Sequence, residues 1–273
     1  YGSLKSAMEG IRHGAAGYLL KPFNVTELLS LVNQTLEKKQ RLDFLRHFIG
    51  TSTGLWGSET ECAQAWEELL TGYQAIGKPE LDQMSNSEST PNLLPLLSDL
   101  LEAKDRQLLN HCSRVSFYAT LLANRINLTL AEQKSLALGA FLHDIGKIGP
   151  EPYQFGDDEI AVSGEIVGNR HHPEQGAKLV LPLKFPAEVG QIIAYHHERW
   201  DGAGYPFGLQ GEGIPQLARI VCLAQTFDHL TVELPGRTPL SIDEACQQML
   251  AYSGTHFEPK LTELFSHVVK EYK

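Results

Sequence analysis

The sequence predicts a mainly α-helical chain: a helical-bundle domain over 96–273, preceded by helical connectors over 41–95 and by the end of an α/β unit over 1–40. Three observations predict it. Beyond Asn92 the apolar residues recur with a 3.6-residue period. A single short run, Tyr18-Leu19-Leu20, reads as a strand, between a glycine-rich turn and Lys21-Pro22. The stretch from His111 to His197 holds six of the chain's 11 histidines, with Asp144 among them, which gives the helical part a chemical centre.

At 273 residues and 42% hydrophobic content the chain has enough apolar mass for one good-sized core and a second small one. A net charge of -10 argues against a nucleic-acid polymer or an anionic membrane as partner, while a small phosphate ligand in a local basic pocket stays allowed. Cys62, Cys112, Cys222 and Cys246 are widely spaced with no CxxC pair, the pattern of reduced, buried thiols in a cytoplasmic protein. No signal peptide or apolar run of spanning length appears. The first residue is Tyr1 and not methionine, so the sequence is expected to be a fragment.

Residues 3 to 13 form a weakly amphipathic helix with Leu4, Ala7, Met8 and Ile11 on one side. After the strand, Pro22 makes a cis peptide accessible, and Thr26 is placed to cap a helix that carries Leu28, Leu29, Val32 and Leu36. A lone strand leaves backbone groups unpaired; exchange between two chains is one solution and leaves a homodimer open. The run GAAGYLLKPFNVTEL resembles the last helix–strand–helix of a response-regulator receiver domain. The resemblance implies that Lys21 is the lysine that contacts a phosphorylated aspartate, that the acidic pocket lies upstream of Tyr1, and that a sensor histidine kinase acts through the full receiver domain.

The helix is expected to continue from Glu37 to Phe48 until Gly50-Thr-Ser-Thr-Gly54 interrupts it, and residues 59 to 76 read as another helix around Ala63, Trp66, Leu69, Leu70 and Tyr73. Trp56 and Trp66 are expected to pack, as isolated tryptophans do. Gln83 to Pro91 is polar and serine-rich and reads as a linker.

Leu108, Leu109, Cys112, Val115, Ala119 and Leu122 then make one helical face with His111 at its edge. Thr129-x-x-Glu132 opens the next helix as a capping box, which runs through Leu136, Leu138 and Phe141 into His143-Asp144-Ile145-Gly146-Lys147. His111 and His143 are therefore expected on neighbouring antiparallel helices. Imidazole and carboxylate side by side suit a divalent metal, and Lys147, one turn beyond His143, is placed to meet a phosphate. Further on come His171-His172-Pro173-Glu174, then His196-His197-Glu198, and then Asp201-Gly-Ala-Gly-Tyr205-Pro206, whose glycines permit tight turning and would hold a tyrosine at the mouth of the site. Neutral imidazoles around a bridging carboxylate are what a two-metal site needs.

In this order, HDIGKIG, the His172-Pro173 pair, HHERWDGAGYPFGL and IPQLARI resemble an HD-GYP domain from about Leu96 to the end of the chain. The resemblance implies an all-helical domain that hydrolyses cyclic di-GMP at two divalent ions, iron or manganese. It makes His111, His143, Asp144, His172, His196 and His197 the metal ligands, with Asp144 bridging, and gives Asp144, Lys147 and Tyr205 catalytic or phosphate-facing roles. His171 is left to packing or the surface. The implied partners are cyclic di-GMP or a related nucleotide, the kinase, and a diguanylate cyclase.

Several positions depart from the pattern. Gln225 stands where the family has an aspartate ligand, and so is a weak or absent ligand, with Asp228 one turn on as no more than a candidate substitute. Gln107, four residues before His111, argues against a third ion. Asp157-Asp158 and Leu234-Pro235-Gly236-Arg237 replace basic family motifs, leaving Lys147 and Arg237 as the phosphate-facing cations. Two classes of function follow: an attenuated metal phosphodiesterase, or a degenerate domain that binds a nucleotide or protein and signals without hydrolysis.

Overall fold

The computed structural model describes residues 24–76, 93–149, 170–233 and 237–271, together with Leu19 and Pro22. Lys21, the serine-rich stretch 83–91, Asp157-Asp158 and 234–236 lie outside the described residues, as do Tyr18 and Leu20 of the expected strand. Among the described residues there are ten α-helices and no sheet; Ser253 and Phe257 form an isolated bridge. No described helix is long and apolar enough to cross a membrane.

Helix α1 (Val25–Thr51) starts at Asn24, not at the expected Thr26: the Asn24 side chain accepts from the Glu27 amide at 2.8 Å while Glu27 reaches back, closing a capping box. It also runs through Gly50, since one glycine costs a helix only about 1 kcal/mol. Its second half is anchored by Arg41, Leu45 and Ile49; its first half leaves Val25, Leu28, Leu29, Val32 and Leu36 exposed. α2 (Glu59–Ile76) and α3 (Leu94–Lys104) pack on α1. The Asp99 carboxylate of α3 joins the three, accepting from Arg41 of α1 at 3.0 Å and from the Tyr73 hydroxyl of α2 at 2.7 Å. Trp66 is a packing residue as expected, 2% exposed, with its indole N–H on the Leu179 carbonyl at 2.7 Å.

α4 (Arg106–Ala123) and α5 (Leu130–Leu142) form the expected hairpin, started by Asp105 and by the Thr129–Glu132 capping box. α6 (His172–Val180), α7 (Ala187–Tyr195) and α8 (Gln216–Thr231) pack around them, and α9 (Ile242–Ala251) and α10 (Pro259–Glu271) close the far side. All four cysteines are free and buried.

The apolar residues sort into two clusters. One gathers α1 to α3 with Leu108, Cys112, Leu142, Ile145 and Ile193; the other gathers Val115, Ala119, Leu136, Ala140, Ile192 and Ala224 with α8 to α10. Helices α4, α5 and α7 contribute to both, and each carries or adjoins a histidine of the centre: His111 beside Cys112, His143 after Leu142, His196 after Ile193. The polar centre is thus held by packing on both flanks, which fixes rotamers to a degree a loop could not.

Candidate metal centre

Six side chains converge where the clusters meet. His111 comes from α4, His143 directly follows α5, Asp144 begins the 3₁₀ turn Ile145–Ile148, His172 opens α6, and His196 and His197 follow α7. None is more than 3% exposed. Asp144 lies between two sets. Its Oδ2 is 3.6 Å from His111 Nε2 and 3.4 Å from His143 Nε2; its Oδ1 is 3.3 Å from His172 Nε2 and 3.7 Å from His196 Nε2. One donor atom each from His111, His143 and Asp144 lie within 4.8 Å of one another, and the same holds for Asp144, His172, His196 and His197.

The proton positions decide what these sets can hold. His143 Nδ1 donates to the Ala140 carbonyl at 2.7 Å, His196 Nδ1 to the Ile193 carbonyl at 2.8 Å, and His111 Nδ1 to the Asp228 carboxylate at 2.7 Å. Each Nε2 therefore carries a bare lone pair in the neutral ring. His111 and His143 nevertheless bring their Nε2 atoms to 3.2 Å, as His172 and His196 do. The lone pairs of His111 and His143 repel at that separation unless a cation lies between them. Two nitrogens bound at right angles to one ion at about 2.1 Å each are about 3 Å apart, so the spacing fits cis ligands. Asp144 Oδ1 and His197 Nε2 are buried without a hydrogen-bond partner, which a cation would also satisfy. The residues present fit divalent metal ions.

Electrostatics agree. Burial lowers His111, brings His196 down to about 4 and holds His197 well below the ordinary histidine range, so these rings are neutral donors. Burial would raise the Asp144 carboxyl, but His143 and Lys147 beside it hold it well below the usual carboxylate range. Lys147 Nζ donates to Asp144 Oδ2 at 2.8 Å and its side chain is 9% exposed. It reaches this position from the 3₁₀ turn, because α5 ends at Leu142 and does not carry the same helical face on to Lys147.

The other expected site residues are placed differently. Gln225 is buried and donates from Nε2 to the His196 carbonyl at 3.2 Å. Asp228 is not a substitute ligand: its oxygens are taken by His111 and by Arg114, whose Nε and guanidinium nitrogen lie at 2.5 and 2.9 Å, and although burial works to raise it these partners bring it to about 2. Tyr205 is 6% exposed and lies flat on His197, with ring centroids 4.7 Å apart and planes 13° apart, so it walls the site more than it faces solvent. The Arg237 guanidinium donates to the His229 carbonyl near the end of α8. His171 is exposed and outside both donor sets.

The roles of four residues were not identified from sequence. Asp228 and Arg114 orient His111, a contact made only because α4 and α8 pack together across 117 positions. His229 stacks on His111 with centroids 4.6 Å apart and planes 2° apart. Glu198 accepts from the Phe207 and Leu209 amides at 2.7 and 2.9 Å, fixing the loop that carries Tyr205. Its place beside the paired histidines was the one available signal.

A family model described as an HD domain matches residues 95–261. The chain is 32% identical over 185 residues to a 3'3'-cGAMP-specific phosphodiesterase 2 of Vibrio cholerae, an alignment that covers 65% of this chain and 34% of that protein. It is 28% identical over 258 residues to the cyclic di-GMP phosphodiesterase response regulator RpfG of Xanthomonas campestris, covering 92% of this chain and 61% of that one. A solved structure of a cyclic GMP-AMP-specific phosphodiesterase of Vibrio cholerae superposes with a TM-score of 0.51 at 26% identity, covering 64% of this chain and 47% of the other. The chain therefore spans between a third and two thirds of these proteins' lengths. With the ordered histidine, aspartate and Gly-Tyr-Pro motifs in one buried helical centre, the chain belongs to the HD-domain family, in its HD-GYP branch.

Proposed function

We propose that this chain is the output part of a response regulator and hydrolyses a phosphodiester bond of a cyclic dinucleotide, cyclic di-GMP or a related one, at a centre of two divalent ions. The observation that carries this reading is Asp144, whose two oxygens face two separate histidine sets, each with a pair of Nε2 atoms 3.2 Å apart. Two such ions polarise a phosphoryl oxygen and stabilise the leaving oxygen. The chain's own part is to keep His111, His196 and His197 neutral by burial, to keep Asp144 ionised with Lys147 beside it, and to keep the ring planes fixed through the Ala140, Ile193 and Asp228 acceptors. Mixed nitrogen and oxygen donors suit iron or manganese.

The test is metal analysis of the purified chain together with turnover of cyclic di-GMP. About two equivalents of metal and product formation that His143→Ala abolishes are expected. Two equivalents with no turnover above a metal-free control would overturn hydrolysis.

A second reading, a binding module without hydrolysis, is favoured by Gln225. Its amide donates to the His196 carbonyl and supplies no anion, so among the described residues Asp144 is the one anionic donor of both sets. One tight equivalent of metal with cyclic dinucleotide binding but no turnover would favour it. The kinase and diguanylate cyclase partners belong to this proposal as expectations for the longer protein.

A further inference from the structure

Tyr205 does more than cover His197. Its ring lies almost parallel to that imidazole, and the Arg170 guanidinium carbon stands over the same ring, 5.7 Å from its centre. A planar cation over an aromatic ring is attracted by the ring's negative face and keeps its edge N–H donors available. Tyr205 is buried and Arg170 exposed, so Arg170 borders the centre on its solvent side.

Other basic side chains already serve acceptors of the protein: Lys147 serves Asp144, Arg114 serves Asp228, Arg199 serves Asp201, and Arg237 serves the His229 carbonyl. The contact that the structure shows for Arg170 is the aromatic one. A cyclic dinucleotide carries two phosphodiesters on opposite sides of one macrocycle, and a buried centre can engage one at a time. The other is left outside, against a chain whose net charge is -10. A local cation is needed there to offset the repulsion, and arginine offers the fork that fits a phosphate.

We propose that Arg170, held in place by the Tyr205 ring, binds the second phosphate of a cyclic dinucleotide whose first phosphate lies at the histidine centre. This rests on the phosphodiesterase reading and adds a residue that selects cyclic dinucleotides over ligands with a single phosphodiester. Arg170 acts in selection and affinity, not in bond cleavage.

The experiment measures association of the metal-loaded chain by rapid mixing, before turnover, with cyclic di-GMP and with linear GpG, which has one phosphodiester. Arg170→Ala is expected to weaken cyclic di-GMP binding about tenfold or more, the scale of a lost charge-assisted hydrogen bond, with GpG binding and metal content unchanged. Arg170→Lys should recover only part, since lysine keeps the charge but loses the planar fork. Unchanged binding of both ligands, or equal weakening of both, would overturn the inference while leaving the phosphodiesterase reading standing. A metal-loaded wild-type chain that neither binds nor hydrolyses cyclic di-GMP would bring down that reading and this inference together.

Discussion

Asp228 Oδ2 accepts from His111 Nδ1 at 2.7 Å, and the same carboxylate is clamped from its other side by Arg114. The pair fixes which nitrogen of His111 carries the proton and therefore which one faces Asp144. Asp228→Asn keeps the size but turns one acceptor into a donor that opposes Arg114. Metal affinity of the His111 and His143 set is expected to fall about tenfold to a hundredfold, the usual cost of losing such a partner. Competition with a chelator would show one equivalent released early and the other retained. Two equivalents held with wild-type affinity would rule out this orienting role.

Gln225→Asp should act in the opposite direction. The amide now donates to the His196 carbonyl at 3.2 Å. Aspartate cannot donate there, so the metal-free variant should be about 1 kcal/mol less stable, the net worth of a hydrogen bond. In exchange it brings an anion to the edge of the histidine centre, where Asp144 is the one carboxylate of both donor sets. Higher metal occupancy and faster, though incomplete, hydrolysis of cyclic di-GMP are expected, because Leu234 and Asp157 still stand where the family places basic residues. Equal loading and rate in variant and wild type would show that the wild-type amide is no handicap.

The helical class and the six converging side chains were legible because both rest on local patterns: the 3.6 period, the Thr129–Glu132 cap, and short histidine motifs. What escaped depends on contacts between distant segments. Nothing near Asp228 in sequence says that α8 will lie against α4, and so it read as a spare ligand. The Lys147 contact to Asp144 escaped because helical spacing was carried past Leu142, where the chain tightens into a 3₁₀ turn and aims the lysine at that carboxylate. Asn24 and Thr26 are both good caps by composition, and only the Glu27 partner decides between them.

Tyr73 gives the fold a pH dependence away from the centre. Burial, with the Asp99 carboxylate bonded to its hydroxyl, pushes the phenol above its ordinary range. The folded state thus binds this proton more tightly than the unfolded state does. Its contribution is complete below the unfolded phenol's value of about 10 and is lost as pH rises above that. Denaturant midpoints of wild type should fall more steeply above pH about 10 than those of Tyr73→Phe, which has no phenolic proton to lose. Parallel curves would remove Tyr73 from the account.

Gly146 tests the placement of the centre by backbone approach alone. A Cβ at this position would meet the His172 carbonyl oxygen at 2.0 Å and the Gly176 amide nitrogen at 2.7 Å. Both are backbone atoms, so no rotamer change relieves the clash; the 3₁₀ turn and α6 would have to move apart. That movement separates Asp144 from His172, which are the link between the two donor sets. Gly146→Ala should therefore cost on the order of 1–3 kcal/mol, the range for overpacking, and should lower metal content in the fraction that still folds. Gly190→Ala is the matched control, since a Cβ there meets nothing within 4 Å. Thermal melting and metal analysis of both variants separate a general loss of stability from a displaced centre. If Gly146→Ala melts and loads metal as wild type does, the turn and α6 are not as close as this packing requires, and the bridge between the two sets through Asp144 must be drawn differently.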